Sequence, residues 1–259
     1  MSVLSINGLF AGYGENKVLS DISISIASGE ICGLVGPNGS GKTTLLRSIL
    51  QLGVDVTGEI LVSGEELSSL SGNQKARKIS YLPQNFNPFS RLTVTETVLL
   101  GRHPYRRGWE HDSTSDLETA EKCMIQTDTL ELRDRVFSNL SGGEKRLVML
   151  ASALAQEPEL LLLDEPGSSL DFRHQLRMWL LLKKLALSGI AVLVSTHEVA
   201  LSGRFLDSVL VLSGGEARAF GSPSDVFTTE VLSDVFEVHL FVSRDRKTGS
   251  WVIVPEIES

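Results

Sequence analysis

Cysteine is nearly absent from this chain, which contains only Cys32 and Cys123 among its 259 residues. Neither cysteine has a partner at a spacing typical of a metal site. Cys32 lies in an apolar segment, where a small buried thiol is the simplest interpretation. The low cysteine content therefore favours a reduced, cytosolic protein.

Long apolar runs are also missing from the sequence. No run approaches the roughly 20 apolar residues that a transmembrane helix requires. The first residues lack both the basic region and the apolar stretch of a secretory signal. From these absences we expect a protein that carries neither a membrane span nor an export signal.

Positive charge is scarce, because 24 lysines and arginines stand against 32 aspartates and glutamates, giving a formal net charge of −8. A nucleic-acid surface needs clustered lysine and arginine, so the composition argues against a nucleic-acid partner. It does not argue against binding of a single nucleotide. Hydrophobic residues at 42% and charged residues at 22% are ordinary for a globular chain with a full core.

A phosphate-binding loop is the clearest feature that is present. The pattern G-x-x-x-x-G-K-[ST] fits the stretch Gly36-Pro37-Asn38-Gly39-Ser40-Gly41-Lys42-Thr43-Thr44. Its glycines allow backbone N–H groups to point at an anion, Lys42 adds a charge for the β- and γ-phosphates, and Thr43 offers a hydroxyl to Mg²⁺. A predicted strand precedes the loop and a predicted helix follows it, so phosphates would lie at a helix N-terminus. The alternative, a glycine-rich turn that matches by accident, has a chance on the order of one per cent.

The order of predicted elements indicates an α/β fold. Alternation over Val3–Phe10 and Val18–Ile26 predicts antiparallel strands, whereas wholly apolar runs separated by amphipathic helices predict buried parallel strands. Thr93, with Glu96 three residues later, predicts the start of a helix. We expect one domain over residues 1–259, with its core formed by 1–86 and 156–221. Residues 87–155 would form an inserted helical subdomain, and 222–259 a helical segment followed by two edge strands.

Two carboxylates follow the apolar run Leu160–Leu163. Ligands of open α/β sheets bind beyond the carboxyl ends of the strands, so Asp164 and Glu165 would lie near the phosphate loop. We expect Asp164 to hold Mg²⁺ together with Thr43, and Glu165 to polarise an attacking water. The alternative is that both residues only cap the end of a strand.

Two further polar residues follow predicted strands in the same way. His197 comes after the apolar run Ile190–Val194, which would bring it beside the γ-phosphate. Gln84 ends another predicted strand, where it would contact Mg²⁺ or the attacking water. Without the phosphate loop, neither residue would indicate a function.

The order of these motifs resembles that of the ATP-binding cassette (ABC) ATPases. The phosphate loop, Gln84, the Asp164–Glu165 pair and His197 occur in the order of that family, and the resemblance covers nearly the whole chain. Its most specific part is the signature Leu140-Ser141-Gly142-Gly143-Glu144. The resemblance implies ATP and Mg²⁺ as ligands of a P-loop NTPase core, with a mainly parallel sheet, an antiparallel β subdomain and an inserted α-helical subdomain.

The resemblance also implies a second copy of the chain. Ser141, Gly142 and Gly143 would reach the γ-phosphate bound by the partner, and they precede a predicted helix whose N-terminus favours an anion. Asp171, in the motif Ser169-Leu170-Asp171, would cross between the two sites. The implied assembly is a head-to-tail dimer that holds two ATP molecules between its subunits.

Tyr13 lies between Gly12 and Gly14 in a predicted loop. An aromatic residue in such a loop is most simply a turn residue. By resemblance to the family, however, Tyr13 is the aromatic side chain that stacks on adenine.

Two positions depart from the family pattern. Leu147 stands where the family commonly has arginine, with Arg146 one step earlier, so packing of the signature helix would differ. Gly167 replaces a frequent threonine after the Asp-Glu-Pro motif, which would loosen the loop that leads to Asp171.

A short element points to one branch of the family. Gly101-Arg102-His103-Pro104-Tyr105 resembles a G-R-x-P element of importers for iron–siderophore, haem and cobalamin. That branch implies integral membrane permease subunits, an extracytoplasmic substrate-binding protein, and a peripheral location on the cytoplasmic face of the inner membrane. A soluble ATPase of iron–sulfur cluster assembly and the energiser of an exporter remain alternatives. For Arg102 and His103, a solvated helix end is the alternative to a functional element.

Overall fold

The computed structural model describes residues 1–85, 91–106, 112–168 and 170–256. Three sequence predictions fall partly outside these ranges: Ser169 of its motif, the boundary between core and helical subdomain at residues 86–87, and the end of the extension at 257–259. The strands are β1 Ser2–Tyr13, β2 Asn16–Ala27, β3 Ile31–Val35, β4 Asp55–Val62, β5 Glu65–Glu66, β6 Ile79–Leu82, β7 Leu160–Asp164, β8 Ala191–Ser195, β9 Ser208–Ser213, β10 Glu216–Gly221, β11 Leu240–Arg244 and β12 Trp251–Pro255. The α-helices are α1 Lys42–Leu50, α2 Gly72–Lys78, α3 Val94–Leu99, α4 Thr114–Gln126, α5 Gly142–Leu154, α6 Phe172–Leu187, α7 Val199–Ser202, α8 Pro223–Val226 and α9 Thr229–Phe236.

The central sheet has the strand order β10-β9-β3-β8-β7-β6 within the described ranges. Parallel pairing joins β9 to β3, β3 to β8, β8 to β7 and β7 to β6, while β10 runs antiparallel to β9. The predicted mainly parallel sheet is therefore confirmed. Because parallel strands end at the same edge, the residues that follow β3, β6, β7 and β8 meet there.

The strand β7 shows how the sheet is buried on both faces. Leu160 and Leu162 pack into one apolar cluster with α1 and the antiparallel strands, whereas Leu161 and Leu163 pack into another with α5 and α6. All four leucines are fully buried, as the uninterrupted apolar run predicts. Cys32 in β3 is equally buried, and burial raises the pKa of its thiol to about 12. The prediction of a small buried thiol at Cys32 is confirmed.

The antiparallel sheet has the order β2-β1-β4-β5 among the residues described. Its first strand is longer than the sequence predicts, because Gly12 and Tyr13 pair with Lys17 and Asn16. The loop predicted around Tyr13 is thus shorter, and Tyr13 belongs to β1. The reason is a two-residue hairpin turn that begins at Gly14, whose φ of 59° suits such a turn.

The helical block contains α3, α4 and α5, which pack against one another. The start of α3 at Thr93 is confirmed: its side chain accepts a hydrogen bond from Glu96 N, and the Glu96 carboxylate accepts one from Thr93 N. The helices α4 and α5 begin with the same reciprocal arrangement. Three helix starts in the block are therefore each satisfied by local hydrogen bonds.

Arg102 is buried in this block, so the alternative interpretation of this residue as a solvated helix end is wrong. Its side chain is 7% exposed. Nε donates to Asp116 Oδ1 at 2.8 Å, and Nη1 donates to Ala155 O and Glu157 Oε2, each at 2.7 Å. The hydrogen bond from Arg102 is the largest cause that lowers the pKa of Asp116 to about 2. Arg102 therefore joins the start of α4 to the end of α5 from inside the block.

The C-terminal extension also differs from the prediction. In the part described, β11 and β12 pair with each other in a separate two-stranded sheet and are not edge strands of a larger one. The hairpin packs back on the core through Trp251, whose ring meets Phe227 edge-on with centroids 5.3 Å apart. Its apolar inner residues pack against other elements, β11 against α9 and β12 against α7, so no place at the edge of the main sheet is needed.

Candidate functional site

The phosphate loop connects β3 to α1 at the edge where the parallel strands end. Lys42, the first residue of α1, bends back so that Nζ donates to Gly36 O at 2.8 Å and to Pro37 O at 2.9 Å. Burial lowers the pKa of Lys42, and the negative charges of Glu165 and Asp164 oppose that shift. The ammonium group is thus held within the loop, close to two carboxylates.

Close packing explains two of the loop's glycines. A Cβ atom at Gly36 would lie 2.1 Å from Leu212 O, and one at Gly41 would lie 2.5 Å from Leu19 Cδ2. Gly41 also has a φ of 103°, a conformation that other residues rarely adopt. Within the described residues, the buried Ser40 Oγ has no hydrogen-bond partner. The loop therefore keeps its curled shape and retains a polar atom that a ligand can satisfy.

Asp164 lies beside Thr43, as predicted. The two side chains are in hydrogen-bond contact, with Thr43 Oγ1 3.0 Å from Asp164 Oδ2. Ser195 Oγ donates to Asp164 Oδ1 at 2.7 Å, and Tyr81 OH lies 3.4 Å from Oδ2. Burial is the main cause that raises the pKa of Tyr81 to about 12, and the Asp164 charge adds to it. The carboxylate, 3% exposed, is therefore fixed from three sides.

Glu165 brings the other predicted catalytic residues together. Gln84 Nε2 donates to Glu165 Oε2 at 2.7 Å, and His197 Nε2 lies 2.5 Å from Glu165 Oε1. The glutamate side chain is 12% exposed, whereas that of His197 is 44% exposed. Each of the two Glu165 carboxylate oxygens thus has its own partner. The three residues follow the neighbouring strands β6, β7 and β8.

A cavity of about 590 Å³ joins these groups. This volume lies within the range of roughly 300–1,000 Å³ that is typical of small-molecule sites. The lining residues come from the phosphate loop, from β2 and from the three strand ends: Val18, Asn38, Gly39, Gly41, Lys42, Thr43, Thr44, Gln84, Glu165 and His197. The phosphate loop and the three predicted catalytic residues therefore face one space.

Tyr13 lies near this cavity but is not part of the lining formed by the described residues. Its ring, at the end of β1, is 39% exposed, and Arg47 Nη1 approaches its hydroxyl at 3.4 Å. Burial would raise the pKa of Tyr13, but hydrogen bonds with Thr44 and Arg47 outweigh it and lower the pKa. Stacking of Tyr13 on adenine stays a prediction.

The signature residues lie at the start of α5 and outside that lining. Ser141 is the N-cap, and its N–H and hydroxyl both donate to the Glu144 carboxylate, at 2.8 Å and 2.7 Å. A Cβ atom at Gly143 would lie 3.3 Å from the ring of His174. His174 Nδ1 in turn lies 2.7 Å from Asp171 Oδ1. The two motifs expected to serve a second copy are therefore neighbours on one surface.

Two residues that contact Asp164 or Glu165 are not predicted as site residues by the sequence analysis. Ser195 is fully buried and joins Asp164 to Glu165, because it also accepts a hydrogen bond from Glu165 N at 2.9 Å. The available signal is a serine at the end of an otherwise apolar strand. Arg146, mentioned only as a departure, is 6% exposed and extends from α5 to the backbone around Glu165.

The two departures from the family pattern have simple surroundings. Leu147 is 7% exposed and packs into the apolar cluster around α5. At Gly167, a Cβ atom would lie in ordinary contact, 3.5 Å from Glu198 Oε2, so a β-carbon would fit there. Neither position disturbs the groups that line the cavity.

Comparison with known proteins identifies relatives over nearly the whole chain. The ABC transporter family model matches residues 19–168. The chain is 36% identical to the hemin import ATP-binding protein of Thermobifida fusca, over 98% of this chain and 88% of that protein. It is 34% identical to the iron(3+)-hydroxamate import ATP-binding protein of Bacillus subtilis, over 96% and 93%. It is 35% identical to the cobalamin import ATP-binding protein of Halobacterium salinarum over 97% of its own length, but it spans only 63% of that relative.

A solved structure shares the complete fold. This structure, described as a metal-chelate type ABC transporter in an inward-facing conformation, matches with a TM-score of 0.87 and 27% identity, covering 100% of this chain and 99% of that one. The expected P-loop NTPase core, with its parallel sheet and antiparallel β subdomain, is confirmed. The family match and the relatives together show that the chain belongs to the ABC transporter family.

Proposed function

We propose that the chain is the ATP-hydrolysing subunit of an importer for a metal chelate, such as an iron–siderophore, haem or cobalamin. The observation that carries the proposal is the convergence of Gln84 and His197 on Glu165 in the cavity above the phosphate loop. The names of the relatives, which specify hemin, iron(3+)-hydroxamate and cobalamin import, favour an importer over an exporter or an iron–sulfur assembly ATPase.

The residues of the cavity fit ATP with Mg²⁺. The phosphates would lie at the start of α1, within reach of the Lys42 ammonium and the unpartnered Ser40 hydroxyl. Thr43 and Asp164 place a hydroxyl and a carboxylate oxygen 3.0 Å apart, and such oxygen ligands suit Mg²⁺. Gln84 would contribute its amide oxygen as a further ligand. Bound Mg²⁺ would neutralise charge on the phosphates during transfer.

Glu165 would act as the general base. Its carboxylate would accept a proton from the attacking water while Gln84 and His197 hold its two oxygens in a fixed plane. Because the Glu165 side chain is mostly buried and His197 is half-exposed, water would enter from the side of His197. Asp164, held by Ser195, would remain a ligand and take no part in the proton transfer.

A second copy of the chain would complete each site. Ser141, Gly142 and Gly143 do not line the cavity of their own chain, but they begin a helix whose N-terminus can face an anion. Asp171 lies next to them through His174, which supports a shared role at the surface between subunits. The proposed assembly is the head-to-tail dimer with two ATP molecules, in which Tyr13 stacks on adenine.

The remaining partners belong to the membrane. Among the helices described, none is both long and apolar enough to span a bilayer. The proposed partners are integral permease subunits, which receive the movement driven by ATP, and indirectly an extracytoplasmic substrate-binding protein. The chain would then lie peripherally on the cytoplasmic face of the inner membrane.

The variant Glu165→Gln tests the catalytic part of this proposal. It keeps the shape of the side chain and removes the base, so turnover should fall by about 10²- to 10⁴-fold while ATP affinity is retained. Because ATP then remains bound between subunits, the dimer should accumulate in Mg-ATP and be visible by size-exclusion chromatography. Near-normal turnover would mean that Glu165 is only a strand-end cap.

Asp164→Asn is the matched control, since it neutralises the neighbouring carboxylate. It should weaken Mg-ATP binding and hydrolysis together, unlike Glu165→Gln. Import itself is tested by expression with the adjacent genes and purification in detergent. Recovery with membrane subunits that stimulate ATP hydrolysis in the presence of a chelate-binding protein supports import, and recovery only with soluble iron–sulfur assembly proteins refutes it.

A further inference from the structure

The guanidinium group of Arg146 donates hydrogen bonds to the backbone at the edge of the sheet where Gln84 and Glu165 lie. Nε donates to Pro166 O at 3.1 Å, and Nη1 donates to Gln84 O at 2.6 Å. Nη2 donates to Glu165 O at 2.5 Å and lies 3.4 Å from Asp164 O. One buried side chain therefore holds the loops that carry two of the proposed catalytic residues.

The backbone of Glu165 needs such support. Its φ is 47°, in the left-handed region that residues other than glycine rarely occupy. Glu165 N donates to Ser195 Oγ at 2.9 Å, and Glu165 O accepts from Ser168 Oγ at 2.9 Å and from Arg146. The strained conformation, which aims the carboxylate into the cavity, is thus held on both sides of the residue.

Arg146 also belongs to α5, the helix that begins with the signature residues Ser141–Gly143. Arg146 lies in the second turn of α5, so any movement of the signature residues as part of this helix also moves Arg146. An arginine fork reaches three separate carbonyl groups with three nitrogens in one plane, a geometry that lysine cannot reproduce. The side chain is therefore a rigid connection between the start of α5 and the loop at Glu165.

We propose that Arg146 is a positioning residue, which fixes the backbone of Glu165 and ties the orientation of the base to the signature helix. The proposal rests on the proposed role of Glu165 as general base. It concerns the rate of the chemical step and not nucleotide binding, because no atom of Arg146 lines the cavity formed by the described residues.

The test compares Arg146→Lys with the wild-type chain. Lysine keeps the positive charge but cannot hold three carbonyls, so kcat should fall by roughly 10- to 100-fold through misplacement of the base. The dissociation constant for Mg-ATP, measured with a fluorescent analogue, should stay within about twofold. Arg102→Lys is the matched control, since Arg102 is equally buried and also donates to a backbone carbonyl, but away from the cavity. It should lower thermal stability without lowering the kcat of the folded protein.

A double-mutant cycle with Glu165→Gln distinguishes positioning from general structural damage. If Arg146 acts through Glu165, adding Arg146→Lys to Glu165→Gln should not lower the residual turnover further. Arg146→Gln, which removes the charge as well as the fork, provides a second variant if the lysine variant does not fold. It should show the same non-additive loss.

Two outcomes overturn the inference: a kcat within about twofold of wild type in both Arg146 variants, or losses that multiply in the Glu165→Gln background. Normal turnover in Glu165→Gln alone would instead refute the proposed function. A strong loss in Glu165→Gln with multiplying Arg146 effects would leave that function intact and refute only the positioning role.

Discussion

The phosphate loop and the signature both end in a helix N-terminus, but the two starts are built differently. At α1, the N-cap is Gly41, and no side chain in the described residues caps the helix. At α5, the N-cap is Ser141, whose hydroxyl accepts from Glu144 N while its own N–H donates to the Glu144 carboxylate. The first helix start leaves its N–H groups to a ligand, whereas the second satisfies one of them, Glu144 N, with a side chain of its own.

The charged residues at the two helix starts also favour anion binding at α1 over α5. Lys42 is the first residue of α1 and brings a positive charge to the cavity, whereas Glu144 brings a negative charge to the first turn of α5. A carboxylate at a helix N-terminus competes with any other anion for the same partial positive charge. The phosphate loop is therefore suited to bind an anion in a single chain, whereas in the proposed dimer the signature would meet a phosphate that the partner already holds.

Between the two helix starts, the largest expected effect comes from adding a charge at the signature. Ser141→Glu places a second carboxylate at the start of α5, where it would repel the partner's γ-phosphate. ATP hydrolysis should fall by roughly 10²- to 10³-fold, as when a group that stabilises transition-state charge is lost. Binding of ATP by the single chain should be nearly unchanged.

Ser71→Glu is the control for this prediction, because Ser71 caps α2 through the same reciprocal arrangement with Gln74. It should hydrolyse ATP normally. If Ser141→Glu also hydrolyses ATP normally, the signature does not serve a second site. The start of α5 would then have no role in nucleotide binding.

A smaller effect is expected at the other helix start. Lys42→Ala removes the charge beside the phosphates, a charge-assisted contact worth about 1.5–3 kcal/mol, so ATP affinity should fall roughly 10- to 100-fold. Lys145→Ala makes the same change in the first turn of α5 and should leave ATP binding by the single chain unaltered. Titration with a fluorescent ATP analogue measures both, and equal effects of the two variants would contradict the asymmetry.

The side-chain cap at the start of α5 should also contribute to the free energy of unfolding. Ser141→Ala removes the side-chain cap of α5 and should lower the free energy of unfolding by about 1 kcal/mol. Ser71→Ala should cost a similar amount at α2, but only the change at Ser141 should also reduce hydrolysis. Urea unfolding measures the first effect and a turnover assay the second. A loss of hydrolysis in both variants would indicate a general effect of stability.

Much of the site could be predicted because it follows from strand ends. Gln84, Asp164, Glu165 and His197 each come after a predicted strand, and parallel strands bring their carboxyl ends to one edge. The cap at Thr93 could be predicted because its partner, Glu96, is only three residues away. In both cases the information lies within a short segment or in a regular topology.

The two buried arginines could not be predicted, because their partners are distant in sequence. Arg102 donates to Ala155 O and to Asp116, and Arg146 donates to carbonyl groups 20 and 62 residues away. Backbone carbonyls carry no residue type, so a sequence gives no sign that an arginine will bind them. The separate C-terminal hairpin cannot be predicted for a similar reason, since alternation predicts a strand but not the strand that pairs with it.

The smallest expected effect concerns the charge of Glu144. Hydrogen bonds from the hydroxyl and the N–H of Ser141 lower its pKa below the ordinary value of 4.5. Because the folded pKa is the lower one, this carboxylate contributes stability that is fully present above about pH 4.5 and lost as the pH falls through the folded pKa. Glu144→Gln keeps the reciprocal cap without the charge. The wild type should therefore be more stable than this variant by about 0.3–1 kcal/mol at pH 7, and the difference should shrink towards pH 3. Urea unfolding of both proteins at several pH values measures it, and a difference independent of pH would show that Glu144 acts at α5 only through its shape.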